Sequence, residues 1–135
     1  MIFLDTSLLV AYIVDKDSNH GRAISLINDI VSGKYGSAVT SDYIFDETVT
    51  VVLVRTKSME AAVASGRLIR ESVAILPVGD SVFEKSWNIF KNQRSTMFSF
   101  TDCTILALIA ENHVDRLATF DGEFQNSDSF KVIDQ

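Results

Sequence analysis

The stretch Met1-Ile2-Phe3-Leu4-Asp5-Thr6-Ser7-Leu8-Leu9-Val10-Ala11-Tyr12-Ile13-Val14 decides how the chain is read. Ile2 to Leu4 is a short apolar strand, and the seven-residue apolar run from Leu8 to Val14 is a buried helix that follows almost at once. Asp5 lies on the join. A carboxylate set against core segments carries a large desolvation cost unless something pairs with it, and no Lys or Arg adjoins Asp5 in sequence. The pattern returns near the other end, where the strand Arg116 to Phe120 leads directly into Asp121.

Between these ends strand and helix signals alternate. Ser18 or Asn19 caps a helix whose Ile24, Ile27, Ile30 and Val31 fall at helical spacing before Gly33 stops it. Ser37 to Thr40 is a strand, and Ser41 or Asp42 caps a helix running to about Thr56. Ser58 starts a helix to about Ser72, and Val73 to Val78 is the third strand. Asp80 or Ser81 caps a helix through Phe90, followed by the polar loop Lys91 to Ser95. Thr101-Asp102 opens an apolar helix to about Asn112, and Lys131 to Ile133 is a fifth strand after Arg116 to Phe120. This alternation predicts an α/β fold in three layers, with a short, mainly parallel sheet between helices, built by residues 1–135 as one domain.

In parallel sheets, sites gather at the carboxyl ends of the strands. Asp5 and Asp121 then stand at one sheet edge if their strands are neighbours. Asp102 opens a helix, where the N-terminal dipole favours an anion and a plain capping role competes with a functional one. Glu47 sits more than a turn inside its helix, beyond easy capping range. Its neighbour Asp46 points about 100 degrees away, so the two cannot easily face one pocket. Asp46 shares a side with Thr50 and Leu53, and Glu47 with Tyr43 and Val51, so spacing alone does not choose between them. With no basic neighbour for Asp5, Glu47, Asp102 or Asp121, a divalent cation is the first candidate partner.

Composition narrows the alternatives. The longest apolar run falls far below the roughly 20 residues that span a bilayer, and the N-terminus lacks the basic start of a signal peptide, so a soluble cytoplasmic protein is expected. The one cysteine, Cys103, excludes an internal disulfide or a multi-cysteine zinc site and reads as a small buried residue. His20 and His113 have no partner at ligand spacing and read as surface or helix-end residues. A net charge of -6 argues mildly against a polyanionic substrate, but residues 55 to 94 hold seven basic side chains against four acidic ones. Two divalent cations on the acids elsewhere would bring the whole to about -2.

Four motifs in order carry a family resemblance: Phe3-Leu4-Asp5-Thr6-Ser7, Thr40-Ser41 followed by Glu47 in a helix, Ser99-Phe100-Thr101-Asp102-Cys103, and Ala118-Thr119-Phe120-Asp121-Gly122-Glu123-Phe124. Together they resemble the PIN-domain ribonucleases, and within them the VapC-like toxins of toxin–antitoxin pairs. The resemblance implies a PIN-like three-layer fold and an acidic cluster of Asp5, Glu47, Asp102 and Asp121, and it selects Glu47 over Asp46. Two positions depart from the family pattern. Cys103 stands where Ala is common, and Glu123 where many members have a second Asp, which makes Glu123 an alternate or outer ligand.

Such a cluster suits phosphodiester hydrolysis without a nucleophilic side chain. Two Mg2+ or Mn2+ ions about 4 Å apart activate water and neutralise charge on the phosphate, and these hard cations prefer carboxylate oxygens. Asp5 and Asp102 are the principal expected ligands, with Glu47 and Asp121 as further ligands or holders of metal-bound water. Thr6, Ser7 and Thr119 are positioned to orient Asp5 or a phosphate through their hydroxyls. Arg55, Lys91 and Arg94 are candidate RNA contacts. The resemblance further implies an RNA substrate, a cognate antitoxin and a homodimer packing through helices. Competing readings are a non-catalytic PIN-like module that binds RNA or a partner, and a phosphoryl-transfer or receiver-like domain. The phosphatase version of the latter requires an Asp at position 7, which is Ser.

Overall fold

The chain alternates helices with short strands in a computed structural model that describes residues 1–135. In order they are β1 (Ile2–Leu4), α1 (Thr6–Ile13), α2 (His20–Val31), β2 (Ala38–Ser41), α3 (Asp42–Thr56) and α4 (Met59–Ser72). There follow β3 (Ala74–Leu76), α5 (Asp80–Lys91), α6 (Phe100–Glu111), β4 (Arg116–Ala118), a single 3-10 turn (Gly122–Phe124) and β5 (Lys131–Ile133). The five strands form one sheet in the order β3-β2-β1-β4-β5, and every pairing is parallel. The expected α/β layering is therefore present, with a sheet that is wholly parallel.

Strand order explains the position of the acids. From β1 the chain steps outward through β2 to β3, then crosses back to β4 on the other side of β1. Parallel crossovers are right-handed, so the two directions of travel put helices on opposite faces. Leu4 and Ala38 line one face together with residues of α1, α2 and α4. The reversal lies between β1 and β4, where Leu4 pairs with Ala118, and a crevice opens beyond the carboxyl ends of these two strands. Asp5 and Thr119 are the next residues out.

The elements follow from local chemistry. Helix α1 buries Leu8, Leu9, Val10 and Ala11 in succession, as a helix apolar on all sides must. Gly66 lets α4 approach α3, since a side chain there would meet Val49 Cγ1 at 3.2 Å and Phe45 Cζ at 3.3 Å. One core of 24 buried residues draws on all three layers, from Phe3 and Leu117 in the sheet to Leu26 and Leu108 in the helices.

Several expected boundaries move, each for a local reason. β3 ends at Leu76 because the Val78 amide donates to Asp42 Oδ1 at 3.0 Å. β4 ends at Ala118, and the Phe120 amide donates to Ser7 Oγ at 2.9 Å. Ser41 closes β2 and then caps α3, its hydroxyl accepting from the Ile44 amide. Helix α5 is preceded by Gly79, so Asp80 and Ser81 lie inside its first turn. Helix α6 starts at Phe100 with Ser99 as its cap, which makes Asp102 the third helical residue and not the cap. No helix is long and apolar enough to cross a membrane.

Candidate active site

Asp5 is the centre of the crevice. It caps α1 and is only 5% exposed. Its Oδ1 accepts from the Thr6 amide at 2.7 Å, and its Oδ2 accepts from the Thr119 hydroxyl at 2.6 Å and from Ser7 Oγ at 3.3 Å. Thr119 Oγ1 lies 3.1 Å from Ser7 Oγ and also accepts from the Asp121 amide at 3.0 Å. Thr119 is fully buried, so its hydroxyl fixes the carboxylate from the sheet side. The sequence left open which of Thr6, Ser7 and Thr119 orients Asp5. The structure gives that role to the two hydroxyls of Ser7 and Thr119 and to the amide of Thr6, while Thr6 Oγ1 is buried without a partner.

Burial pushes the Asp5 carboxyl up from an ordinary 3.8 to about 6. The bonds from Thr119 and Thr6 oppose the rise, and the negative charges of Asp102 and Glu47 add to it. Glu47 is thus the acid of α3 whose charge reaches Asp5, although both it and Asp46 are exposed.

Asp102 is half-buried and held in a reciprocal cap. Its Oδ2 accepts from the Ser99 amide at 3.0 Å, while its own amide donates to Ser99 Oγ at 3.0 Å. Desolvation raises its pKa, the Ser99 bonds oppose this, and the charge of Asp121 raises it further. Asp121 caps the 3-10 turn, its Oδ1 accepting from the Glu123 amide at 2.9 Å. Charge coupling thus links Glu47 and Asp102 to Asp5, and Asp121 to Asp102. None of the four takes part in an ion pair. Nor do any three acidic, histidine or cysteine side chains converge at ligand distance.

The remaining expected residues are spread more widely. Glu123 is exposed, and its side chain lines a separate cavity of about 940 Å3 with Ser95, Thr96 and Phe98. Arg55, in the last turn of α3, is tied to Asp17 at 2.6 Å. Lys91 and Arg94 are exposed at and beyond the end of α5 and form no ion pair. Cys103 is buried, and desolvation raises its thiol pKa, in keeping with a small packing residue.

Ser99 entered the sequence reading only as part of a motif; here it holds Asp102, and the Ser-x-x-Asp spacing of a capping box was a usable signal for that role. Arg22 of α2 lies over the Phe120 ring at 4.8 Å, with its guanidinium donating to the Asp134 carbonyl at 2.9 Å.

The fold is thus a parallel α/β sheet with a buried carboxylate at its topological switch, where ligands of such sheets bind, and with Glu47 and Asp102 coupled to it by charge. Residues 2–129 match the PIN domain family, and the chain belongs to it. It is 28% identical over 141 residues to a VapC ribonuclease of Archaeoglobus fulgidus, covering 98% of this chain and 86% of that protein. Among solved structures it resembles VapC20 of Mycobacterium tuberculosis, described as a sarcin–ricin-loop-cleaving toxin, with a TM-score of 0.81, 29% identity and 92% of each chain covered. A toxin–antitoxin complex from Klebsiella pneumoniae shares the fold at a TM-score of 0.71 and 15% identity, covering 98% of this chain and 96% of that one.

Proposed function

We propose that residues 1–135 act as one metal-dependent endoribonuclease domain, the toxin of a VapC-like toxin–antitoxin pair. The observation that carries this reading is Asp5, a carboxylate buried without a cationic partner and raised to about 6 by burial and by two neighbouring acids. Carboxylates perturbed in this way concentrate at functional sites. Membership of the PIN family and likeness to a VapC ribonuclease support the same conclusion.

The donor set fits Mg2+ or Mn2+, since it consists of hard carboxylate oxygens lacking other counter-charges. Asp5 and Asp102 would be the principal ligands, with Glu47 and Asp121 completing the set. When bound, such ions supply an activated water and neutralise the phosphate and the leaving oxygen. The protein's own part is orientation. Thr119 and Ser7 fix the rotamer of Asp5, and Ser99 fixes that of Asp102, so both carboxylates are preorganised on rigid element ends. Buried β1 and β4 exclude water behind Asp5, which strengthens its attraction for a cation.

RNA is the substrate in this reading, a cognate antitoxin the inhibitor, and a homodimer packing through helices the working assembly. Action in the cytoplasm accords with the lack of any helix able to cross a membrane. Incubation of the purified protein with single-stranded and structured RNA in Mg2+, Mn2+ or EDTA tests the proposal. Metal-dependent cleavage abolished in Asp5→Asn is expected. RNA binding that persists in EDTA, with no cleavage under any condition, would instead make the chain a binding module.

A further inference from the structure

An aromatic strip starts on the same helix turns as two of the candidate ligands. Tyr43 lies one turn before Glu47 on α3, and Phe100 lies two residues before Asp102 on α6. The Phe100 ring meets Tyr43 at 6.5 Å between centroids, Phe83 at 5.2 Å and Phe90 at 6.1 Å. Trp87 and Phe90 stack on the surface of α5 with ring planes 19° apart. These rings are not core: Phe83 is 44% exposed, Trp87 46% and Phe90 39%. Lys91 and Arg94 follow Phe90 in the chain, at and just beyond the end of α5, and are exposed and free of ion pairs.

We propose that this strip is a stacking track for unpaired bases of the RNA strand flanking the scissile phosphate, with Lys91 and Arg94 receiving its phosphates. The inference rests on reading the crevice as a ribonuclease site. Three features select a nucleic-acid strand as the occupant. The track starts on the helix turns that carry two of the candidate ligands. Three of its rings are partly exposed on α5, and aromatic rings stack with any base. It ends in uncommitted cations, which an apolar protein partner would leave without counter-charge. Bases inside a duplex have no free face, so the track favours single-stranded RNA.

Trp87 is the chain's one tryptophan, so its emission reports directly on the track. The experiment titrates a 12-nucleotide single-stranded RNA, its abasic analogue and the matching duplex into Asp5→Asn protein, with and without Mg2+. Quenching by the single strand, and much less by the other two, is expected. Affinity is read for every variant from the anisotropy of the end-labelled RNA, because the Trp87 variants contain no tryptophan. It should fall on the order of tenfold in Trp87→Ala or Phe83→Ala and recover in Trp87→Phe, with unchanged melting curves as the folding control. Equal quenching by the abasic strand, or unaltered affinity in both alanine variants, overturns the proposal. So does emission that changes with protein concentration but not with RNA, accompanied by loss of a dimer in Trp87→Ala, since the face would then serve self-association. Quenching is read without cleavage, so a failed nuclease assay alongside intact quenching would strike the catalytic reading alone.

Discussion

The Thr119 hydroxyl donates to Asp5 Oδ2 across 2.6 Å, joining residues 114 positions apart at the ends of adjacent parallel strands. This bond lowers the Asp5 pKa against the pull of burial. Thr119→Val removes it while keeping the volume, and should cost about 1.5–3 kcal/mol of stability at neutral pH. It should also move the acidic limb of the activity profile to higher pH, because Asp5 then holds its proton longer. Chemical denaturation and a pH–rate series check both effects, and Thr119→Ser should restore them.

Asp5 makes the metal-free protein less stable as pH rises. Its folded pKa of about 6 lies above its ordinary 3.8, so between these values the folded state keeps a proton that the unfolded state has released. Stability therefore falls across that window, by up to about 3 kcal/mol. Asp5→Asn should abolish cleavage. Because Asn does not titrate, the variant's melting temperature relative to the wild type in EDTA should be higher at pH 7.5 than at pH 4 by up to roughly 10 °C, over a constant cost for the one acceptor oxygen it lacks. A difference that is the same at both pH values would contradict the desolvation account.

Mg2+ or Mn2+ at millimolar concentration should raise the melting temperature of the wild type. The increase should be smaller in Asp5→Asn and in Asp102→Asn, each of which removes one carboxylate charge. Because cation and proton compete for Asp5, the stabilisation should strengthen as pH rises through 6. Thermal melts along a metal titration at pH 5.5 and 7.5 measure this directly.

Glu47 and Asp46 can be separated by paired substitutions. Glu47→Gln should lower cleavage by about tenfold to a hundredfold, the range for loss of a metal-site group. Asp46→Asn should leave it within roughly threefold. An equal loss in both would mean that charge near α3, and not a particular ligand, is what matters.

Ser99→Ala takes away the hydroxyl that caps α6 and should cost about 1 kcal/mol. Asp102 then loses one side of its reciprocal bond, so cleavage should fall, by less than in Asp102→Asn. Ser99→Thr should recover both stability and rate.

Much of this was legible in the chain because the decisive signals are local. An apolar strand, an acid and an apolar helix within fourteen residues fix β1, Asp5 and α1, and the same logic at Arg116–Asp121 fixes β4. The acid of α3 could not be chosen from spacing, since adjacent exposed residues on one helix differ only in what lies across from them. Arg55 read as free because its partner, Asp17, lies 38 positions away. The aromatic track was invisible for the same reason: Tyr43, Phe83 and Phe100 come from three helices and meet only after folding.

Parallel pairing of β1 with β4 also has a consequence for the order of synthesis. The chain grows from its N-terminus, so Asp5 is made well before Ala118 and Thr119, which register and orient it. A growing chain that has not reached β4 carries the carboxylate without the hydroxyl that aims it. For an RNA-cleaving protein made on RNA-containing machinery, this delays competence until β4 has been made. A fragment ending at residue 115 should accordingly show no cleavage in the assay that detects it in residues 1–135.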